Sequence, residues 1–392
     1  MMKNYCVSKY ICFLLAFSLV SAFIIPASFS AGKFTIQPSI ELRTRMDSNF
    51  EKHETTTKSV NTYAINPGII LKYSSGKSRA SLDYNTTLSW EDGDSNDYHD
   101  AALFFQNQTT DLLQISVGNN LTKTRDPASA EADATSIERY RYYLNTFSPQ
   151  MNYKLSERFN LNLKYINEIT DYIDEDDGEG EDALENRIGL TIFYEMNPKT
   201  TLDMDYQYWQ MDYGKTSADY TSHQIMSNVN YKFNQFALTA GAGYHSRKFD
   251  QSTLEDFGRP IWKMDFSGQT PSKKDSIPKS SIYVSLNQNY NDAGQGDSYF
   301  TTTGLNASFS YLFTNKINGK LSGYIKNAEY ETSGREDDRW SITPAVDYLV
   351  NDNFTVGLET GYEERDSNTD GESFDNEYGM IKVKYVHDAW SR

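Results

Sequence analysis

The sequence predicts an all-β fold, a transmembrane antiparallel up-and-down β-barrel of about eighteen strands. Three observations predict it. Apolar and polar residues alternate with period two, the breaks between alternating runs are short and long in turn, and tyrosines bracket the short breaks at a near-constant interval.

Along the first run, Phe34, Ile36, Pro38, Ile40 and Leu42 alternate with Thr35, Gln37, Ser39 and Glu41. From Arg79 to Glu91, Ala80, Leu82, Tyr84, Leu88 and Trp90 take one face and Arg79, Ser81, Asp83, Asn85, Ser89 and Glu91 the other. Successive side chains on a strand point to opposite faces, so each run is a strand with one apolar face. Such runs start near 33, 59, 79, 98, 112, 139, 158, 186, 200, 223, 236, 259, 280, 298, 317, 339, 354 and 377, an even number. Short breaks such as 75–78, 197–199 and 234–235 follow the even-numbered runs, and acidic segments such as 125–136, 171–185 and 364–376 follow the odd ones. The exception is the even-side connection 269–279, which is long and carries Lys273, Lys274 and Pro278.

The tyrosine units are Tyr153 to Tyr165, Tyr194 to Tyr206, Tyr231 to Tyr244, Tyr311 to Tyr324 and Tyr348 to Tyr362, separated by 12, 12, 13, 13 and 14 residues. In a membrane barrel these rings sit at the two interfaces, where the ring lies among acyl chains and the hydroxyl reaches water. The polar break between them is then a turn. A soluble sheet with one wet face gives the same period. The long strands and the lack of a second layer to cover the apolar faces favour the barrel.

Residues 1–30 read as a cleaved signal peptide, with Lys3 and Lys9 ahead of an apolar run at 11–25 and Ser28-Phe29-Ser30 closing it. That leaves 31–392 as the barrel domain. Cys6 and Cys12 both fall in the leader, so the mature chain is expected to carry neither thiol nor disulfide. Cys12 precedes the apolar core, which speaks against a lipoprotein anchor. Without Lys3 and Lys9 the chain has 35 basic against 54 acidic residues, a net charge of about −19, which argues against nucleic acid as a partner. No later stretch approaches the roughly 18 apolar residues of a membrane helix.

The segment Pro149-x-Met151-x-Tyr153-x-Leu155-Ser156-x-Arg158-Phe159-x-Leu161-x-Leu163-x-Tyr165, echoed along most of the mature chain, resembles the outer-membrane proteins of the putative β-barrel porin 2 family. The resemblance implies a Gram-negative outer-membrane barrel, and an association with exopolysaccharide systems. The chain departs from barrels of this kind at its end, where Trp390 is followed by Ser391 and Arg392.

A barrel of about eighteen strands is wide enough for an aqueous lumen. The inward register places Arg43, Arg45, Arg79, Lys164, Arg187 and Lys232 among Glu41, Asp83, Glu91, Glu168, Glu195, Asp203, Asp205, Glu359 and Glu363. No basic ladder is visible in that list, so a porin dedicated to acidic sugars is not favoured, and the mixture suggests at most a mild cation preference. Trp209, Tyr172 and Phe193 also face inward, as space-fillers or as a track for sugar rings.

Asp366, Asn368, Asp370 and Glu377 fit the twelve-residue calcium loop, with oxygen ligands at positions one, three and five, Gly371 at six and a carboxylate at twelve. Strands rather than helices flank it, and the alternative is an acidic surface loop. The block from Asp171 to Glu185 holds nine carboxylates and reads as a solvated loop. His53, His99, His223, His245 and His387 offer no catalytic pair, because His99 and Asp100, or His387 and Asp388, point to opposite faces.

The expectation is therefore a non-enzymatic barrel porin, an aqueous pore for small polar solutes or saccharides. Two alternatives stay open, an accessory barrel of exopolysaccharide export and a closed structural or adhesive barrel. No cofactor is required, and calcium is the one candidate ion. Expected partners are outer-membrane lipid and lipopolysaccharide, the barrel assembly machinery and a saccharide solute.

Overall fold

The computed structural model describes residues 32–125, 140–173, 181–215, 217–270, 278–291, 299–387 and, for the backbone, 390–391. The segment 1–30 read above as a signal peptide, positions 174–180 of the acidic block, Lys273, Lys274, Asp388 and Arg392 lie outside the described residues.

Six strands open the chain: β1 (Lys33–Asp47), β2 (Val60–Ser74), β3 (Ser78–Glu91), β4 (Asp94–Gln108), β5 (Leu113–Thr124) and β6 (Tyr142–Lys154). The next six are β7 (Phe159–Tyr172), β8 (Ala183–Asn197), β9 (Thr200–Tyr213), β10 (Tyr220–Phe233), β11 (Phe236–Phe249) and β12 (Phe257–Gln269). Then follow β13 (Ser280–Asn291), β14 (Phe300–Thr314), β15 (Ile317–Tyr330), β16 (Glu336–Asn351), β17 (Phe354–Ser367) and β18 (Phe374–Val386). The two-residue β19 (Trp390–Ser391) adds to β1 opposite Thr35 and Ile36.

Each strand pairs antiparallel with its neighbours in sequence, and β18 returns to β1 from Ser39↔Val386 to Asp47↔Tyr378. The sheet is thus closed, and the backbone polar groups find partners within it, as a bilayer demands. Connections after even-numbered strands form one rim, here the turn rim, together with the described ends of the chain. Those after odd-numbered strands form the loop rim. One connection breaks the expected alternation: β3 and β4 are joined by Asp92 and Gly93 alone, with φ of 49° and 102°. Two consecutive left-handed residues match the twist of a tight hairpin, and Asp-Gly is a preferred pair for them.

Closure leaves no edge strand for proline, which lacks a ladder donor. The pairing is interrupted at Pro67 between β2 and β3, at Pro149 between β6 and β7, and at Pro344 between β16 and β17.

Ile40, Leu42, Leu88, Ile188, Val229, Leu321, Leu358 and Ile381 are exposed on the outer face, which is where lipid would replace water. Tyr153, Tyr165, Tyr206, Tyr231, Tyr244 and Tyr348 are exposed on the same face, as an interfacial girdle requires. Phe233, Phe236 and Phe266 stack along the girdle with centroids 5.4 and 5.6 Å apart. Three girdle hydroxyls meet a histidine Nδ1: Tyr84 with His99 at 3.0 Å, Tyr206 with His223 at 2.8 Å and Tyr385 with His387 at 3.3 Å.

Tyr324 is the exception among the bracketing tyrosines. It pairs with Asn306 and Ser341 on the lumen side. The cause is the register shift between Leu312 and Thr314 at the end of β14. One extra residue there changes the parity of β15, so a 13-residue spacing that keeps Tyr231 and Tyr244 on one face puts Tyr311 and Tyr324 on opposite faces.

Candidate functional site: the lumen and its mouth

The cross-strand register puts the expected lumen residues inside. Arg43 lies opposite Ala64 and Lys382, Arg187 opposite Trp209, Lys164 opposite Gln150 and Gly189, and Asp203 opposite Phe193 and Asn228. Tyr172 and Trp209 also face in, Tyr172 stacking at 5.3 Å on Tyr142 and Trp209 at 5.0 Å on His245.

The structure adds cations that the alternating runs did not reveal, and they change the picture of the charges. Following β17, β18 and β1 from turn rim to loop rim, the inner wall shows Lys384 opposite Glu41, Lys382 opposite Arg43, then Arg45 opposite Met380, and finally Arg365 opposite Arg339. The three levels nearest the turn rim each carry a positive side chain, the next two carry Asp47 with Tyr378 and Glu363 with Asn376, and Arg339 and Arg365 follow at the loop rim. The wall is thus more basic than the alternating runs showed, without an unbroken ladder of cations. Lys382 and Lys384 alternate with Ile381, Val383 and Tyr385, whereas Arg339 and Arg365 sit at strand ends, where apolar alternation fades. Their signal was parity: Arg335, Asp337 and Arg339 share a face, as do Glu363 and Arg365.

At the loop rim this wall condenses into a network. Glu363 accepts from Lys52 at 2.9 Å, from Tyr324 at 2.6 Å and from Arg339. Arg335 forks onto Asp337 at 2.8 and 2.6 Å and lies 3.1 Å from Glu372. Arg365, only 2% exposed, donates to the Glu372 carbonyl and carboxylate while Phe374 covers its guanidinium at 4.7 Å, and its buried Nη1 has no hydrogen-bond partner among the described residues. Burial opposes the charge of Arg335, yet the hydrogen bonds it donates to Asp337 and the Coulomb field of that carboxylate outweigh it, so its affinity for a proton rises. Burial pushes the Glu372 carboxyl above the usual carboxylate range, against the pull of Arg335 and Arg365.

Lys52 comes from the loop 48–59 between β1 and β2, which lies over this network. Asn49 is buried and holds the loop by donating to the carbonyls of His53 at 2.8 Å and Asp375 at 2.9 Å, while its own amide donates to Asn376 at 2.9 Å. Lys52 takes a left-handed φ of 55°. Farther along the rim, Phe50 meets the Arg125 guanidinium at 5.6 Å just beyond β5, and Arg125 is ion-paired with Glu91. The loop therefore bridges wall positions on β17, β18 and the end of β5, narrowing the mouth.

A second buried patch lines β9 to β14. His245, 2% exposed, is framed by Trp209, Phe257 and Tyr290 at 5.0, 5.5 and 5.9 Å, and its Nε2 has no hydrogen-bond partner among the described residues. Arg247 lies over the Tyr220 ring at 3.8 Å.

The two rims carry opposite charge. Among the described residues, the turn-rim connections hold Lys77, Arg158, Lys199, Lys279 and Lys316 against Asp111, Glu157 and Asp352. Lys33, Lys72, Arg79, Lys154, Lys232 and Lys384 are exposed at the adjoining strand ends. The loop-rim connections hold twelve acids, among them Glu51, Glu54, Glu181, Asp182, Glu255 and Asp256, against six bases.

The other sequence candidates are placed as follows. Asp366 lies near the end of β17, Asn368 and Asp370 lie in the loop 368–373, and Glu377 lies in β18 opposite Tyr362. Four strand positions, about 13 Å, separate Glu377 from the level of Asp366, so Glu377 is not brought to the other three. Asn368 instead donates to the Gly334 carbonyl at 3.0 Å, and the Gly371 amide donates to Glu54 at 2.7 Å. Among the described residues no group of three or more His, Cys, Asp or Glu is placed to hold a metal. His99 faces outward, 3.0 Å from Asp97, whereas Asp100 faces inward and accepts from Thr122 at 3.0 Å. They do not form a pair.

Closure in eighteen strands, an apolar outer belt and a polar, charged inner wall define an outer-membrane β-barrel. The family model described as putative beta-barrel porin 2 matches residues 235–387, which is β11 to β18 and lies beyond the Pro149–Tyr165 segment that carries the resemblance in the sequence. Solved structures share the fold. The outer membrane protein OpdK of Pseudomonas aeruginosa aligns with a TM-score of 0.51 at 12% identity, over 92% of this chain and 99% of that one. OccAB4 of Acinetobacter baumannii aligns with a TM-score of 0.51 at 12% identity, over 93% of this chain and all of that one (100%). Among curated proteins nothing matches significantly.

Proposed function

We propose that the barrel is a pore through which small polar solutes, saccharides among them, cross the outer membrane. The observation that carries this is the inner wall of β16, β17, β18 and β1, where Lys384, Lys382 with Arg43, and Arg45 stand at the three levels nearest the turn rim, Asp47 and Glu363 at the next two, and Arg339 with Arg365 at the loop rim. A solute shedding water at one level meets a replacement partner at the next. The mechanism is passage past fixed charges and dipoles, without catalysis.

Single-channel recording of the refolded mature chain in a planar bilayer under a salt gradient tests it. Stable conductance steps with a defined reversal potential support the pore, and an inserted, heat-modifiable but silent barrel refutes it.

A closed structural barrel is the second reading, favoured by the loop 48–59 lying over the mouth, and silence in the same recording supports it. Service to exopolysaccharide export draws on the family resemblance and is tested by polymer secretion in a deletion strain. Lipopolysaccharide and the barrel assembly machinery are the partners this location calls for. Calcium, if held at the loop, would use Asp366, Asn368 and Asp370 without Glu377, and calorimetric titration of the chelator-washed barrel tests that.

A further inference from the structure

Resting on the pore reading, we infer that the cleft inside the turn rim between β10 and β13 is a binding site for an acidic sugar, a pyranose bearing a carboxylate. The cleft has a volume of about 910 Å³, within the range of small-ligand sites. Its lumen-facing lining is Lys232, Ala237, Ser267, Gln269, Ser281 and Tyr283. Lys232, Ala237, Ser267 and Tyr283 lie on one row across four strands, each opposite the next.

That row sets a cation and an aromatic ring about 14 Å apart at the backbone, three inter-strand steps. The floor between them is two small residues. Lys232 is exposed and forms no ion pair among the described residues, so its ammonium is available to a carboxylate. Tyr283 is 44% exposed although it faces the lumen rather than lipid. Its hydroxyl lies 3.4 Å from Asp265, which also accepts from Ser285 at 2.6 Å, and this holds the ring toward the lumen. An exposed ring presents a flat apolar face to the C–H face of a sugar. Gln269 and Ser281 supply the donors and acceptors that hydroxyl groups need.

An aromatic face without the lysine would suit neutral sugars, and a lysine without the face would suit any small anion. The pairing selects for both features in one ligand. The surplus of basic side chains on the turn rim raises the local concentration of such a ligand.

Isothermal titration of the detergent-folded full-length mature barrel tests the site with trigalacturonate, maltotriose and sodium acetate as probes. Trigalacturonate should bind one to one, maltotriose and acetate each at least tenfold more weakly. Lys232→Gln should weaken trigalacturonate about tenfold, the loss of one charge-assisted contact, and leave maltotriose unchanged. Tyr283→Ser should weaken both sugars and leave acetate unchanged. Heat-modifiable migration of both variants confirms that they fold. Absent trigalacturonate binding, binding insensitive to Lys232→Gln, or acetate binding as tightly as the trimer overturns the inference. Calorimetry reads binding whether or not the barrel conducts, so a conducting barrel without binding refutes the sugar site alone, and binding by a silent barrel refutes the pore alone.

Discussion

Lys52, in the loop between β1 and β2, donates to Glu363 of β17 at 2.9 Å, and the same carboxylate accepts from Tyr324 and Arg339. One acid thus ties a mouth loop to two lumen side chains. Lys52→Gln should release the loop at little cost to the barrel, raising single-channel conductance and open-channel noise. Glu363→Gln should do the same and also destabilise the barrel by about 3 kcal/mol, because it leaves Arg339 buried without its countercharge. The temperature at which the heat-modifiable band shifts reads the difference.

The Glu372 carboxyl, held above its usual range by burial, predicts how selectivity responds to pH. Its protonated form is favoured in the folded state, so as pH falls it takes up a proton before an ordinary carboxylate would. The neighbouring Arg335 and Arg365 then lose a countercharge. Reversal potentials should move toward anions on acidification, beginning above the usual carboxylate range. Glu372→Gln should show the shifted potential at neutral pH and lose that part of the titration. The sign for stability is consistent: a raised carboxyl contributes below its unfolded-state pKa and loses that contribution as pH rises through the folded value.

Gly323 and Gly379 make a matched pair for the outer wall. A Cβ on Gly323 would clash with the Ser341 carbonyl oxygen, whereas one on Gly379 meets nothing within 4 Å among the described residues. Gly323→Ala should force the β15–β16 ladder apart and cost about 1–3 kcal/mol. Gly379→Ala should be neutral. Urea midpoints of the refolded barrels separate the two.

Opposite charge on the two rims predicts an asymmetric current–voltage curve. Cations gather at the acidic loop rim and anions at the basic turn rim, so the two polarities of applied potential are not equivalent. At 1 M salt, where the screening length falls to about 3 Å, the asymmetry should largely vanish.

The strand pattern was legible because lipid on one face and a polar lumen on the other force strict alternation. The starts of β1, β9, β11, β13, β15 and β17 fall where the alternation begins, at 33, 200, 236, 280, 317 and 354. The largest offset is at β4, which begins at Asp94 rather than near 98. Asp94, Asn96 and Asp97 look like loop residues, but the two-residue Asp92-Gly93 turn carries them directly into the ladder. The site was harder to read. Arg339 and Arg365 stand above the apolar belt, where no alternation marks them, and Arg247 is buried among rings that resemble core. Tyr324 was misassigned for a different reason, since a single bulged residue at a turn reverses a face without disturbing composition.

The seam between β1 and β18 joins residues 39–47 to 378–386, almost the full separation the chain offers. With the adjoining β19 contact at Thr35 and Ile36, it is the most non-local pairing among the described residues, so closure comes last among the pairings and cannot precede delivery of the final strand. Until then the sheet has two raw ends able to pair with any other strand. Loss of β18 alone would leave seventeen strands open along both sides, a ribbon prone to aggregate rather than a smaller ring. Assembly of this barrel is accordingly all or nothing.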